Sequence, residues 1–371
     1  MQGLADAFKA TLRAVFADRA VLASTFLAVI IYSFYYPVAY RHQVATRIPV
    51  AVVDLDRSPS SRALLRKALA VRAIDLLPPV DSMWQARQQV EAGQADGILL
   101  IEAGFERDIR RGAQGRVAVQ GAGAFLSRAA TVLNGLAEAV RAFSTDVARE
   151  QARVEGPVAR PALVLIERPL FNTREGYASN VVTGVSVLIV QQTLLLGMVL
   201  LLATRREQQG GQPLREGLSV LGGRMAAFWL LGMLNLLYYT GFVFWLQDFP
   251  RGGNLPGMLA GGALFIAAVV CLGMLAGSFF RQRERAPQLI LLLAMPLYFF
   301  SGLSWPQALM PGALACFGRL FPSTPGINLV IRLNHMDASL ADVAPELLNL
   351  GLLVLVYGGL SAWRYRRRPA C

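Results

Sequence analysis

Few side chains in this sequence are placed to do chemistry. His335 and Asp337 are the one histidine and carboxylate near enough in sequence to act as a general base and its orienting partner. An ordinary loop hydrogen bond asks for the same two residues. His42, the other histidine, lies far away along the chain. Asp54 and Asp56 end a β-rich run, where α/β ligand sites open, though carboxylates there also cap the loop they begin. Gly121-x-Gly123 lacks the rest of a phosphate-binding fingerprint. Cys271, Cys316 and Cys371 form no CxxC or Cys/His set suited to zinc. Lys9 and Lys67 are the only lysines, and neither closes a glycine-rich Gly-Lys-Ser/Thr turn whose lysine could reach the β/γ-phosphates of a nucleotide. The sequence therefore reads as carrying no catalytic, cofactor or metal site. If it is energised by ATP, a partner must hydrolyse it.

The elements that hold these groups are mostly membrane helices. The 371 residues are 54% hydrophobic with a mean hydropathy of +0.44, too apolar for an ordinary soluble protein. Stretches of roughly 20 apolar residues cross the hydrocarbon core. Such stretches lie at about 20–39, 179–203, 225–246, 257–280, 286–303 and 345–363. The first has no small-x-small cleavage site and reads as an uncleaved anchor. Ahead of it, Leu4, Phe8, Leu12 and Val15 recur at helical spacing among charged residues, the pattern of an amphipathic helix lying in the inner interface.

The net charge of +12 is mostly topological. With the N-terminus in the cytoplasm, the inside segments 1–19, 204–224, 281–285 and 364–371 carry fourteen basic residues. The short outside loops carry Arg251, Arg319 and Arg332. This bias places both termini in the cytoplasm. It also removes the need for a nucleic-acid partner.

The segment between the first two spans has a different texture. Ile48–Leu55 is strand-like, and Ser58-Pro59 supplies a helix cap with proline in the first turn, opening a helix to about Leu69. Further strands are expected at Ile74–Leu77, Asp96–Glu102, Arg116–Gln120 and Ala162–Glu167. Helices are expected from Asp81 or Ser82 to Gly93, over Phe105–Arg111, and from about Ser127 to Glu150. Alternating strands and helices imply an α/β domain. The expected fold is thus a polytopic α-helical membrane protein with six transmembrane helices. An α/β extracytoplasmic domain is inserted between the first and second. The divisions are 1–40 for the interfacial helix and first span, 41–178 for the domain, and 179–371 for the five-helix region.

The spans hold almost no ionisable groups. Their polar members are Gln191, Gln192, Asn235 and Asn349, which suit interhelical hydrogen bonding or substrate contact. Proton- and sodium-coupled carriers place charged groups at mid-membrane, so ion coupling is disfavoured. Between 286 and 345, Pro287, Pro296, Pro306, Pro311, Pro322 and Pro325 interrupt apolar sequence, which predicts a re-entrant element near 304–325, partly buried over Ala308–Phe317.

The sequence resembles the ABC-2 type exporter permeases, the membrane subunits of ATP-binding-cassette transporters. The layout carries the likeness, together with Phe300-Ser301-Gly302, Trp305-Pro306, Met310-Pro311 and Phe321-Pro322-Ser323-Thr324-Pro325. Leu170-Phe171-Asn172 precedes the second span and Arg205-Arg206-Glu207 follows it. The family's Pro-Gly at the start of that span stands here as Thr183-Gly184, and its Arg-Glu…Gly-Thr motif as Arg206-Glu207-Gln208-Gln209-Gly210-Gly211. The resemblance implies two permease copies or paralogues, each docked on an ABC ATPase subunit, in the bacterial inner membrane. A periplasmic adaptor is a further implied partner. It also implies a coupling loop over Arg205–Arg224, with Arg205, Arg206, Glu207, Arg215 and Glu216 as its candidates and Glu207 and Glu216 as contacts to the ATPase. The implied re-entrant element contains Ser301, Gly302, Trp305, Pro306, Pro311, Pro322 and Pro325. Two other readings stay open: a membrane anchor or receptor presenting the α/β domain, and a polytopic enzyme using His335 and Asp337.

Overall fold

The computed structural model describes residues 3–38, 47–121, 126–155, 177–249, 253–305 and 307–366, with 126–127, 151–155, 177–180, 286, 308 and 335 described by backbone alone. The strand expected at Ala162–Glu167, the Leu170-Phe171-Asn172 motif, His42, Gly123, Arg251, Pro306 and Cys371 lie outside the described residues. The chain divides into two compact units, Met1–Gln43 with Pro169–Cys371, and Val44–Arg168.

The second unit is a four-stranded sheet of β1 (Ile48–Asp54), β2 (Ile74–Leu76), β3 (Gly97–Ile101) and β4 (Val117–Gly121) in the order β2-β1-β3-β4. β1 runs parallel to both β2 and β3, and β4 is antiparallel to β3. Parallel neighbours need helical crossovers. In the first unit, α1 (Leu4–Ala17) and α2 (Arg19–Val38) precede the sheet, so the crossovers are α3 (Pro59–Leu69) and α4 (Met83–Glu91). Helices α5 (Phe105–Arg110) and α6 (Leu126–Glu155) complete the unit. The caps read from sequence are in place: the Ser58 hydroxyl accepts from the Ser61 amide at 3.0 Å and the Ser82 hydroxyl from the Gln85 amide at 3.3 Å. β1 alternates its buried side chains between two cores. Ile48 and Val50 join Ala68, Leu99, Val132 and Leu136, while Ala51 and Val53 join Ala86 and Ile98. A strand buried on both faces accounts for the unbroken apolar run that marks it in the sequence.

The first unit is helical. After α2 come α7 (Tyr177–Gln208), α8 (Leu218–Leu246), α9 (Leu255–Gly277), α10 (Arg285–Phe300), α11 (Gly312–Gly318), α12 (Ser323–His335) and α13 (Ala344–Tyr365). Among the described residues, five helices are long and apolar enough to cross a membrane: α2, α7 over Val181–Gln208, α8, α9 and α13. In α10 the apolar helical stretch is the shorter Pro287–Phe300. α7 is the hub, packing against α2, α8, α9, α10 and α12. Small residues let the helices close: a Cβ on Gly197 of α7 would run into the Thr25 hydroxyl of α2.

Polar side chains tie α8 to α2, as expected of interhelical amides. Asn235 Nδ2 donates to the Thr25 carbonyl at 2.9 Å, Gln247 Nε2 to the Ser33 carbonyl at 2.7 Å, and the Tyr239 hydroxyl to the Val29 carbonyl at 3.3 Å. Thr25 lies in a π-helical turn, Ala23–Leu27. Such a turn loosens the backbone ladder and leaves a carbonyl for a neighbour to use.

α1 buries Ala7, Thr11 and Val15 and packs Leu12 partly against the core, while Leu4 and Phe16 are exposed. The reason is proximity, because a Cβ on Gly223 of α8 would strike the Leu4 carbonyl and lie 2.9 Å from the Ala7 methyl. Only small side chains fit there. The proline-rich stretch forms short helices whose boundaries the prolines set: Pro311 and Pro322 precede α11 and α12, and Pro325 sits in the first turn of α12. Within this chain Leu314 and Phe317 of α11, and Leu320 after it, are exposed and Gly318 is buried. α12 is the piece that enters the core, through Ile327, Leu329, Val330 and Leu333.

Candidate functional site

The carboxylates that end β1 are structural. Asp54 accepts from the Asp56 and Arg57 amides at 3.1 and 2.9 Å and from the Ser61 hydroxyl at 2.6 Å. Asp56 accepts from the Gly104 and Glu106 amides at 2.8 and 3.0 Å and so caps α5. Burial raises the Asp56 pKa, but the Ser58 hydroxyl and the amides of Glu106, Gly104 and Phe105 outweigh it and hold the carboxyl below its usual value. Every named contact is a loop or cap contact. Asp337 follows α12 in a left-handed conformation with φ 51°, and the His335 imidazole lies outside the described side chains.

The dense polar constellation lies where α7, α9 and α13 end and α8 and α10 begin. Its turn is built by Gly210 and Gly211, both with positive φ (66° and 78°), which glycine adopts without a Cβ penalty. Arg206 is buried beneath it. Its Nε donates to the Gly211 carbonyl at 3.1 Å, and its Nη1 donates to the carbonyls of Ser278 at 2.7 Å and Phe280 at 3.3 Å. One guanidinium thus joins the turn after α7 to the end of α9.

Beside it, Glu207 accepts from the Arg283 amide at 2.6 Å. The Arg283 guanidinium forks onto Asp18, with both nitrogen–oxygen distances at 2.7 Å, and also reaches the Thr204 hydroxyl at 3.1 Å. Asp18 at the same time caps α2 through the Ala20 and Val21 amides at 3.0 and 3.2 Å. The Arg283 hydrogen bond outweighs burial and holds the Asp18 carboxyl below its ordinary pKa, and the same contact raises that of Arg283.

The remaining coupling candidates divide. Glu216 is turned inward: its carboxylate takes Nη2 of buried Arg224 at 2.5 Å, and its amide donates to the Tyr365 carbonyl at 2.9 Å. Glu207 and Arg215 are exposed, and Arg205 is half-buried. Arg206, Arg215, Arg364 and Arg366 line a cavity of about 820 Å³ with Ser278, Trp363 and Tyr365. Arg364 donates to the Ser278 hydroxyl at 2.9 Å and lies 4.4 Å above the Phe279 ring. Asp18, Thr204, Ser278, Arg283 and Arg364 complete this constellation, and the motif reading did not single them out as site residues. Asp18 does carry a local signal, a capping residue between two helical patterns.

The second set is dispersed along one stretch. Ser301 is fully buried, Gly302 takes φ 89°, and Gln307 caps the end of α10 by donating to the Phe300 and Ser301 carbonyls at 3.3 and 3.2 Å. Trp305 is exposed. Phe300, Phe317 and Phe321 stack edge to face, linking α10, α11 and the start of α12.

A cleft of about 610 Å³ opens between α2, α7 and α10, walled by Tyr32, Tyr36, Leu188, Gln192, Met295 and Tyr298. Among the described residues, the side-chain amides of Gln191 and Gln192 have no hydrogen-bond partner. A buried amide without a partner costs stability, about 1–3 kcal/mol. An occupant offering a donor or acceptor would relieve that cost at Gln192.

Sequence comparison joins these observations to known proteins. The family described as ABC-2 family transporter protein matches residues 19–363. Over 333 residues the chain is 25% identical to the inner membrane transport permease YhhJ of Escherichia coli (strain K12), covering 86% of this chain and 85% of that protein. The inner membrane transport permease YhhJ of Shigella flexneri matches with the same identity and coverage.

Proposed function

The chain belongs to the ABC-2 family of transporter proteins, and from that premise we propose that it is the permease subunit of an exporter driven by a separate ATPase. Two permeases, identical or paralogous, pair in the bacterial inner membrane. ATP binding and hydrolysis in the partner switch them between inward and outward openings. Each state must be favoured by a different set of contacts for such a switch to work.

The observation that carries this reading is the polar constellation at the turn after α7. Force applied at Glu207 or Arg215 has rigid routes onward: through Arg206 to α9, through Arg283 to Asp18 and the start of α2, and through Glu216 to α13. We assign the exposed Glu207 and Arg215 to the ATPase surface, and Arg206 and Glu216 to transmission within the permease. Arg205 stands between these groups. In this reading both termini and the constellation are cytoplasmic, and the α/β unit and any periplasmic adaptor it meets are outside.

Chain geometry supports a sixth crossing by α10. Arg283 precedes α10 and pairs with Asp18 at the constellation end. Asn334 and Leu333 accept from the Gly253 and Asn254 amides at the opposite end of α9. The stretch between them must therefore travel the length of α9, and the 16 residues of α10 cover about 24 Å of it. Ser301, Gly302, Trp305, Pro306, Pro311, Pro322 and Pro325 then form the re-entrant segment on the outer side. The cleft at Gln192 suits an amphipathic solute with a polar group near an apolar body.

The test is co-purification of the full-length chain from its native membrane, followed by ATPase assay in proteoliposomes. An associated ATPase whose hydrolysis rises in the presence of the permease supports the reading. A chain that recruits no ATPase, and whose deletion leaves export unchanged, refutes it.

A further inference from the structure

The cavity beside the constellation gathers more positive charge than the coupling role accounts for, since Arg364 and Arg366 line it beside Arg206 and Arg215. Among the described residues, Arg206 bonds only carbonyl oxygens, and Arg364 bonds only a hydroxyl and faces a ring. The side chains of Arg215 and Arg366 make no hydrogen bond or ion pair among the described residues. Four arginines thus line about 820 Å³, and among the described residues no carboxylate is in the lining. Glu207 and Glu216, which directly follow lining arginines in sequence, accept from the Arg283 amide and from Arg224. Uncompensated arginines gathered round a cavity attract an anion.

The position of the cavity narrows the anion. Its walls include Gly277 and Ser278 at the end of α9 and Tyr365 at the end of α13, so it sits where two spans leave the hydrocarbon. That is the level of lipid headgroups. Trp363, 71% exposed, forms part of its rim. Tryptophan in that position is an interfacial anchor. Below it Leu348, Leu352, Leu355 and Gly359 continue at helical spacing along the exposed face of α13. An anionic group on two acyl chains meets both surfaces, phosphate in the cavity and chains along the stripe. An acidic peptide would meet only the first.

We propose that this cavity is a binding site for the headgroup phosphate of an anionic phospholipid. The inference rests on α9 and α13 crossing a membrane and does not depend on an ATPase partner. Arginine forks grip phosphate in two-point fashion, and basic pockets at the ends of transmembrane helices take such headgroups. A bound lipid would bridge the turn after α7 to the end of α13, so membrane composition would set the stiffness of the coupling region.

The test uses the purified full-length chain, stripped of lipid, titrated with phosphatidylglycerol or phosphatidylcholine and read by native mass spectrometry. Phosphatidylglycerol is expected to bind at least about tenfold more tightly than phosphatidylcholine. The double variant Arg215→Gln/Arg366→Gln should bind phosphatidylglycerol about thirtyfold more weakly, the loss expected for two basic contacts. Neither side chain has a partner to lose among the described residues, so its unfolding temperature should match that of the parent. Arg215→Lys/Arg366→Lys, which keeps the charge, should retain most of the binding. Equal binding of the two lipids, or unchanged binding in the Gln variant, overturns the proposal. Inorganic phosphate binding as tightly as phosphatidylglycerol would also overturn it, making this a site for a free anion. So would a Gln variant that keeps the lipid but no longer retains a co-purifying ATPase, since the arginines would then face a protein.

Discussion

The Asp18–Arg283 fork joins positions at opposite ends of the sequence, and its strength can be isolated. Asp18→Asn keeps a side-chain oxygen that can still accept from the Ala20 and Val21 amides, so the cap of α2 survives while the charge goes. Arg283→Gln removes the fork from the other side and leaves the Arg283 backbone amide on Glu207 in place. Charge-assisted hydrogen bonds contribute about 1.5–3 kcal/mol each when sheltered. Here the side chains are 18% and 31% exposed, so water screens part of the attraction. We expect a coupling energy of about 2 kcal/mol at neutral pH.

A double-mutant cycle on the full-length chain in detergent measures this, with Asp18→Asn, Arg283→Gln and the combination unfolded in parallel. The pH dependence supplies a second check. Because the folded pKa of Asp18 is depressed, its stabilisation is complete above the ordinary carboxylate value of about 3.9 and disappears as pH falls through the folded pKa. The coupling should be constant between about pH 6 and 8 and shrink well below about pH 4. Additive single variants, with a coupling under about 0.5 kcal/mol, would refute the reasoning.

Glu207 and Glu216 should separate in opposite ways. Glu216→Lys strips buried Arg224 of its carboxylate and should destabilise the chain by about 3–5 kcal/mol in the same unfolding assay. Glu207→Lys should leave stability within about 1 kcal/mol and lower ATPase stimulation, because its carboxylate is exposed and holds one amide. Gln192→Leu should leave thermal stability unchanged or raise it, since it removes an unpartnered buried amide, while changing which solutes alter ATPase activity in proteoliposomes. Gly223→Val should displace α1 from α8, read as faster proteolysis within Leu4–Ala17, because the added side chain meets the Leu4 backbone. In the α/β unit, Asp56→Ala should speed amide hydrogen exchange at Gly104 and Glu106 in the full-length chain, with a cost of about 1–2 kcal/mol.

Some of this protein was legible before folding. Bilayer thickness demands a long apolar run for each crossing, so α2, α7, α8, α9 and α13 stand out from hydropathy alone. Ser58-Pro59 and Ser82 marked their helices because a cap is a contact within three residues. The strands expected at Ile48–Leu55 and Asp96–Glu102 appear as Ile48–Asp54 and Gly97–Ile101 for a similar reason: a short apolar run bounded by turn residues is a local pattern.

How the residues after α7 are held was decided only by the tertiary structure. Glu207 and Glu216 are alike in type and in the segment they occupy. One is exposed, and the other neutralises an arginine buried by three-dimensional packing. Arg206 looks like one more positive-inside arginine until α9 brings the Ser278 carbonyl within 2.7 Å of it, across a sequence separation of 72. Asp18 and Arg283 are 265 positions apart, and no periodicity or spacing relates them. The small face of α1 is set by its closeness to Gly223, a property of two helices together. Local rules act over a few residues and through the solvent a segment prefers. Ion pairs, carbonyl caps and close helix crossings depend on which distant segments meet, and that is settled when the spans pack.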